Sequence, residues 1–236
     1  MKPALDLLQA CEQIQKKQLK VDDYLAQCAA RADQIEPVLK AFTVRAPLEE
    51  LQKQSGPGPL MGIPVAIKDI IATKDFVTTN GSPIYKDFTP SEDAEIVKKI
   101  RALGGVIFGK SVTTEFAWRN AGPTTNPWNS AHTPGGSSSG SAAAVASGIV
   151  PLGIGSQTAG SIIRPAAFCG VVGYKASFGA VPRNGVHPVA ESLDHIGFFT
   201  RSVADARYAF NLLRNTSANE EDAIVIPELS RKPLSE

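Results

Sequence analysis

Thr133-Pro134-Gly135-Gly136-Ser137-Ser138-Ser139-Gly140 and, a little further on, Gly155-Ser156-Gln157-Thr158-Ala159-Gly160-Ser161 are two serine-bearing glycine loops in one stretch that runs to Cys169. Glycine and serine at this density would make a flexible linker if nothing apolar separated them. Here the small-residue run Ser141 to Gly148 and the apolar Ile149-Val150-Pro151-Leu152-Gly153-Ile154 lie between. That intervening segment is apolar enough to be core, so the loops are held by buried scaffold. It reads as a helix from Ser139 to Gly148 and a strand from Leu152 to Ile154. A serine in such a loop usually does no more than satisfy a turn. Two loops that both offer hydroxyls and free backbone N–H groups are, however, what a nucleophile and its oxyanion hole require. The missing part is a base.

Upstream, Gly62-Ile63-Pro64-Val65-Ala66-Ile67-Lys68-Asp69 supplies a candidate. Ile63 to Ile67 reads as a buried strand, with Ile70-Ile71 on the far side of Lys68. Taken alone, a lysine at a strand end snorkels to water. Set in apolar surroundings it disfavours its ammonium form and can accept a proton near pH 7.

Taken together, Gly62 to Asp69, Pro134-Gly135-Gly136-Ser137-Ser138, Gly160-Ser161-Ile162, Arg164-Pro165-Ala166 and Cys169-Gly170 make the chain resemble the amidase signature family from roughly Gly62 to Leu213. The order and spacing agree, with Ser161 placed 24 residues after Ser137. The resemblance implies that Ser161 is the nucleophile, Ser137 a bridging serine in a cis peptide, and Lys68 the base. It also implies that the N–H groups of Thr158, Ala159, Gly160 and Ser161 line the oxyanion hole. In that chemistry Lys68 draws a proton from Ser137, which draws one from Ser161, and Ser161 attacks an amide carbonyl. No metal or organic cofactor is needed, and the expected substrate is a small carboxamide.

The chain departs from the common pattern at three positions: Gln157 stands where an Asp is usual, and Ala159 and Ser139 where a Gly is usual. Ala159 matters most, because a Cβ at an oxyanion turn restricts φ, and the residue can serve only if φ is negative. These departures weaken the reading as a glutaminase-type A subunit of an amidotransferase, and a stand-alone amide hydrolase fits better.

Two other motifs point elsewhere. Gly104-Gly105-Val106-Ile107-Phe108-Gly109-Lys110-Ser111 satisfies the phosphate-loop pattern letter for letter. Yet the residues before Gly104 have helical spacing and Val106-Ile107-Phe108 is itself a strand, so the glycines read as a helix C-cap. Gly136-Ser137-Ser138-Ser139-Gly140 matches a nucleophile elbow centred on Ser138, but the polar Asn129 to Gly135 precedes it where a hydrophobic strand is required. His132, His187 and His195 are expected to be loop or satisfied core histidines.

Composition frames the site. The chain has 236 residues, 43% hydrophobic and 20% charged, with a formal net charge of +1. No excess of positive charge suggests nucleic acid, and no run of about 18 apolar residues suggests a membrane span. Cys11, Cys28 and Cys169 have no metal spacing and form an odd set, so reduced thiols in the cytoplasm are the simplest account. Met1-Lys2-Pro3 leads straight into amphipathic sequence, which argues against a signal peptide.

The remaining elements alternate. Leu5 to Leu19, Val21 to Ile35, Asp93 to Leu103 and Val203 to Leu213 have helical apolar spacing; Ala41 to Val44 and Val171 to Tyr174 read as strands. The expectation is an α/β fold, a mixed sheet sandwiched between helical layers, in a single domain over 1–236. The family's domain is longer, so its C-terminal half is expected to be missing. Polar stretches at Asn219 to Asp222 and Ser230 to Pro233 are expected to fray. A sheet cut short leaves an unpaired edge, which invites a homodimer or another partner, and the alternative to an active hydrolase is a catalytically impaired fragment that acts through such binding.

Overall fold

The computed structural model describes residues 5–215. The start at Met1-Lys2-Pro3 and the polar stretches after Asn219 lie outside the described residues. In chain order the elements are α1 (Leu7–Gln15), α2 (Val21–Leu39), β1 (Phe42–Arg45), α3 (Leu48–Gln54), β2 (Pro64–Lys68), α4 (Glu95–Ala102) and β3 (Val106–Ser111). Then come α5 (Ser139–Ala146), β4 (Leu152–Gln157), α6 (Ile163–Cys169), β5 (Val172–Lys175), β6 (His195–Thr200) and α7 (Val203–Leu213).

The strands form one mixed sheet in the order β1-β3-β2-β4-β6-β5. β2 is parallel to both β3 and β4, while the β1–β3, β4–β6 and β5–β6 pairs are antiparallel. The register places Ile67 beside Lys110 and Ile154, and Lys68 beside Ser111. Successive residues of a strand point to opposite faces, so Lys68 and Lys110, both wholly buried, leave the sheet in opposite directions.

On the Lys68 face lies α5, whose residues Ser139 to Val145 are all buried. Its small side chains let the helix sit almost on the strands. Ser141 Oγ donates to Ile154 O at 2.9 Å and lies 2.7 Å from Ser111 Oγ. Gly140 is required by this approach, since a Cβ there would collide with Ala41 O and Val112 N. On the other face, Tyr174 of β5 stacks on Phe198 of β6 and meets Phe210 of α7 at 5.0 Å between ring centroids. The expected sheet between helical layers is therefore present, and β5 has β6 as its one strand neighbour among the described residues.

Several expected bounds shift. α1 is shorter than Leu5 to Leu19, because the chain turns at Lys16–Lys17, where Lys17 takes a left-handed φ of 57°. α2 continues past Ile35 to Leu39, and Lys40 closes it with φ 52°. β3 and β4 run on into polar residues, to Ser111 and Gln157, because those polar ends are buried against hydrogen-bond partners. α3, α6 and β6 are not anticipated by the sequence pattern. β6 contains the apolar Ile196-Gly197-Phe198-Phe199, a run without period-2 alternation, as expected of a strand covered on both faces.

Candidate active site

β2 delivers Lys68 into the interior with no exposed surface at all. Its Nζ lies 2.6 Å from Ser137 Oγ and 2.8 Å from Ser156 Oγ. The snorkelling alternative is thus excluded. Burial disfavours the ammonium and pushes Lys68 well below the usual lysine range; the charge of Asp194 acts in the opposite direction. A lysine driven toward neutrality within hydrogen-bond reach of a serine is an arrangement suited to a base.

Ser137 is wholly buried, and the Gly136–Ser137 peptide is cis. Two bonds fix this corner: Thr114 N donates to Ser137 O at 3.1 Å, and Arg164 Nε donates to Gly136 O at 2.9 Å. The next residue ties the two glycine loops together, with Ser138 N donating to Ser161 O at 3.4 Å and Ser138 Oγ to Ser156 O at 3.2 Å. Ser161 itself retains 8% exposure, at the inner end of a loop whose Ala159 is exposed.

The loop from Thr158 to Ser161 has the form of an anion cradle. Among the described residues, its four backbone N–H groups donate to no protein group. Ala159 has a negative φ, so its Cβ does not prevent the turn. Gln157 explains how the loop keeps its shape without the usual Asp: its Oε1 accepts from Ile162 N at 2.9 Å and Ile163 N at 3.0 Å. These bonds bridge the loop from strand end to helix start and leave the donors between them free. Thr158 Oγ1 donates to Asp194 Oδ1 at 2.5 Å, and Asp194 Oδ2 accepts from Val189 N and Ala190 N.

The two competing motifs fail structurally. Gly104, with φ 80°, ends α4, and Val106–Ser111 is β3 rather than a phosphate-cradling turn. Lys110 is buried on the opposite face of the sheet, 3.2 Å from Asp69 Oδ1 and donating to Ile71 O and Thr78 Oγ1. Burial lowers it to about 8, with Asp69 opposing the shift. Ser138, the centre of the elbow pattern, bonds to backbone and to no histidine. His187 packs against Phe116 and Tyr85, and His195 Nδ1 lies 2.6 Å from Leu193 O.

Ser156 and Asp194 were missed by sequence reasoning. Ser156 stands within the second glycine loop with nothing to separate it from its neighbours, and Asp194 has no motif around it. No group of three or more potential metal ligands occurs among the described residues, and no helix there is long and apolar enough to cross a membrane.

A buried lysine on a cis-peptide serine, beside a loop of unpaired donors, is the setting in which likeness to known proteins takes on meaning. The amidase family model matches residues 21–235. The chain belongs to the amidase family. It is 39% identical over 230 residues to the A subunit of the glutamyl-tRNA(Gln) amidotransferase of a Sulfurihydrogenibium species, covering 91% of this chain and 47% of that relative. Among solved structures, native peptide amidase from Stenotrophomonas maltophilia is 32% identical with a TM-score of 0.81, over 94% of this chain and 50% of the other. A 6-aminohexanoate cyclic dimer hydrolase bound to substrate is 28% identical with a TM-score of 0.85, over 96% and 49%. The chain therefore spans about half the length of the relatives it matches.

Proposed function

We propose that this chain carries the catalytic centre of an amide hydrolase that cleaves a carboxamide C–N bond through an acyl-enzyme. The observation that carries the reading is the buried Lys68 Nζ 2.6 Å from Ser137 Oγ, beside a loop of four unpaired N–H groups ending at Ser161. Neutral Lys68 takes the proton of Ser137 as Ser137 takes that of Ser161. Ser161 Oγ bonds to the amide carbon, and the carbonyl oxygen gains its charge among the N–H groups of Thr158, Ala159, Gly160 and Ser161. One such donor is typically worth on the order of 10²–10³ in rate. The proton returns through Ser137 to the nitrogen, the C–N bond breaks, and the amine or ammonia leaves. Water then attacks the acyl carbon, its proton follows the same relay, and carboxylic acid departs with Ser161 restored.

A second reading is favoured by the relatives that are A subunits of glutamyl-tRNA(Gln) amidotransferases: a glutaminase whose ammonia passes to a partner. Gln157, Ser139 and Ala159 weigh against it. Ammonia release from glutamine, compared with release from simple carboxamides, separates the two. The exposed Ile163, Phe168 and Phe178 near the β5 edge support the expectation that another chain or further sequence covers this side. The three free, buried cysteines suit a reducing compartment such as the cytoplasm.

The test is intact mass after exposure to a serine-directed fluorophosphonate. One adduct on the native chain and none on Ser161→Ala or Lys68→Ala is the expected result. No adduct on folded native protein overturns the hydrolase reading for this chain.

A further inference from the structure

Lys68 Nζ has a second partner that the relay does not use. Ser156, the penultimate residue of β4, places its Oγ 2.8 Å from Nζ, on a lysine that has no contact with solvent. A neutral amine has two N–H bonds and one lone pair. For Lys68 to act as a base, the lone pair must point at Ser137, so at least one N–H must be received elsewhere. Ser156 Oγ is the acceptor in place for it.

Ser156 also opens outward. It lines a cavity of about 280 Å³ together with Ile70, Arg183, His187, Asp194 and His195. Among the described residues its hydroxyl hydrogen has no acceptor, which leaves it free to turn into that cavity. Burial favours the neutral amine of Lys68, but it does not decide which way the lone pair faces. A hydroxyl that accepts from Nζ and donates outward decides it. We infer that Ser156 is a positioning residue of the proton relay, holding the lone pair of neutral Lys68 on Ser137 and opening the lysine to proton exchange through the cavity.

The inference rests on the hydrolase reading. The charged and titratable groups around Lys68 are few. Asp69, the residue after the end of β2, and Lys110 on β3 engage each other on the opposite face of the sheet. Arg183, His187, Glu191, Asp194 and His195 surround the cavity, and Arg164 sits at Gly136. β4 and α5 contribute only neutral side chains.

The rate of fluorophosphonate labelling, followed as a function of reagent concentration and pH, tests this. In Ser156→Ala the limiting rate should fall roughly 10²-fold, the effect of a misaligned catalytic group, with half-saturation by the reagent unchanged. Ser156→Thr, which keeps the hydroxyl, should restore most of it. Ser156→Cys keeps the volume but is a weak acceptor, and should resemble alanine even if the alanine variant folds poorly. Labelling stoichiometry counts the folded fraction, so a loss of stability alone lowers the final adduct and not the rate. A Ser156→Ala rate equal to the native rate at every pH overturns the inference and leaves the hydrolase reading standing. Equal losses in the alanine and threonine variants, both folded by thermal melting, also overturn it. A folded native chain that takes no label overturns both.

Discussion

Asp194 acts on the site at one remove. Its carboxylate is held by Thr158 Oγ1 and by two backbone N–H groups, and its charge favours the ammonium form of Lys68 against the effect of burial. The sign of its removal follows directly. A base must be unprotonated, so labelling rises with pH through the pKa of Lys68. Without the Asp194 charge that pKa falls further, and the acidic limb of the profile should move to lower pH. Asp194→Asn suits the measurement, because its amide oxygen can keep the Val189 and Ala190 bonds while its NH₂ donates to Thr158. A limb that stays in place, or moves to higher pH, would show that Asp194 does not tune Lys68. The same scale shows the limits of sequence reading. Lys68 was legible because apolar residues flank it on both sides. Ser156 was not, because its partner lies 88 residues away and a serine in a glycine loop looks like any other.

Among the elements, α5 is the one whose composition is most constrained by what it touches. It lies against β2, β3, β4 and β6 and carries Ser138 and Ser139 at its start, so its height above the sheet fixes the position of Ser137. Gly140→Ala would force a Cβ into Ala41 O and Val112 N, which are backbone and cannot rotate away. A destabilisation of about 3 kcal/mol is expected from overpacking of this kind, read as a lower midpoint in urea unfolding with an unchanged slope. A change below about 0.5 kcal/mol would mean that the helix can lift without cost. The Ala and Ser content announced close packing in the sequence, and α7 was found from Val203 to Leu213 by spacing alone. α3 and α6, each of seven residues, are too short for periodicity to separate from loop.

Across the whole molecule, Arg201 fastens distant parts of the chain. From the turn between β6 and α7 it reaches Asp6 Oδ1 at 2.7 Å and Leu5 O at 2.6 Å, beside the start of α1. It also donates to Val145 O and Val150 O, at the end of α5 and just before β4. Arg201→Met keeps the bulk and removes every one of these bonds. A loss of about 3 kcal/mol is expected, since breaking a partly buried pair leaves its acceptors stranded. The labelling rate per folded molecule should stay unchanged, because these four acceptors belong to the scaffold and not to the site. A full-stability variant, or one that stays stable but labels slowly, would contradict this division between scaffold and site. No sequence pattern marked Arg201, since acceptors scattered from Leu5 to Val150 meet only in the fold.

The alternation of Lys68 and Asp69 across the sheet has a practical meaning. A slip of β2 by one residue against its neighbours would exchange their faces. Asp69 would then be thrust toward Ser137, and Lys68 toward the space that Lys110 fills. Such a chain could keep its helices and much of its compactness while having no base at its serine. On the proposed reading, a serine-directed probe is therefore also a gauge of strand alignment, reporting the share of molecules in a preparation that have threaded correctly.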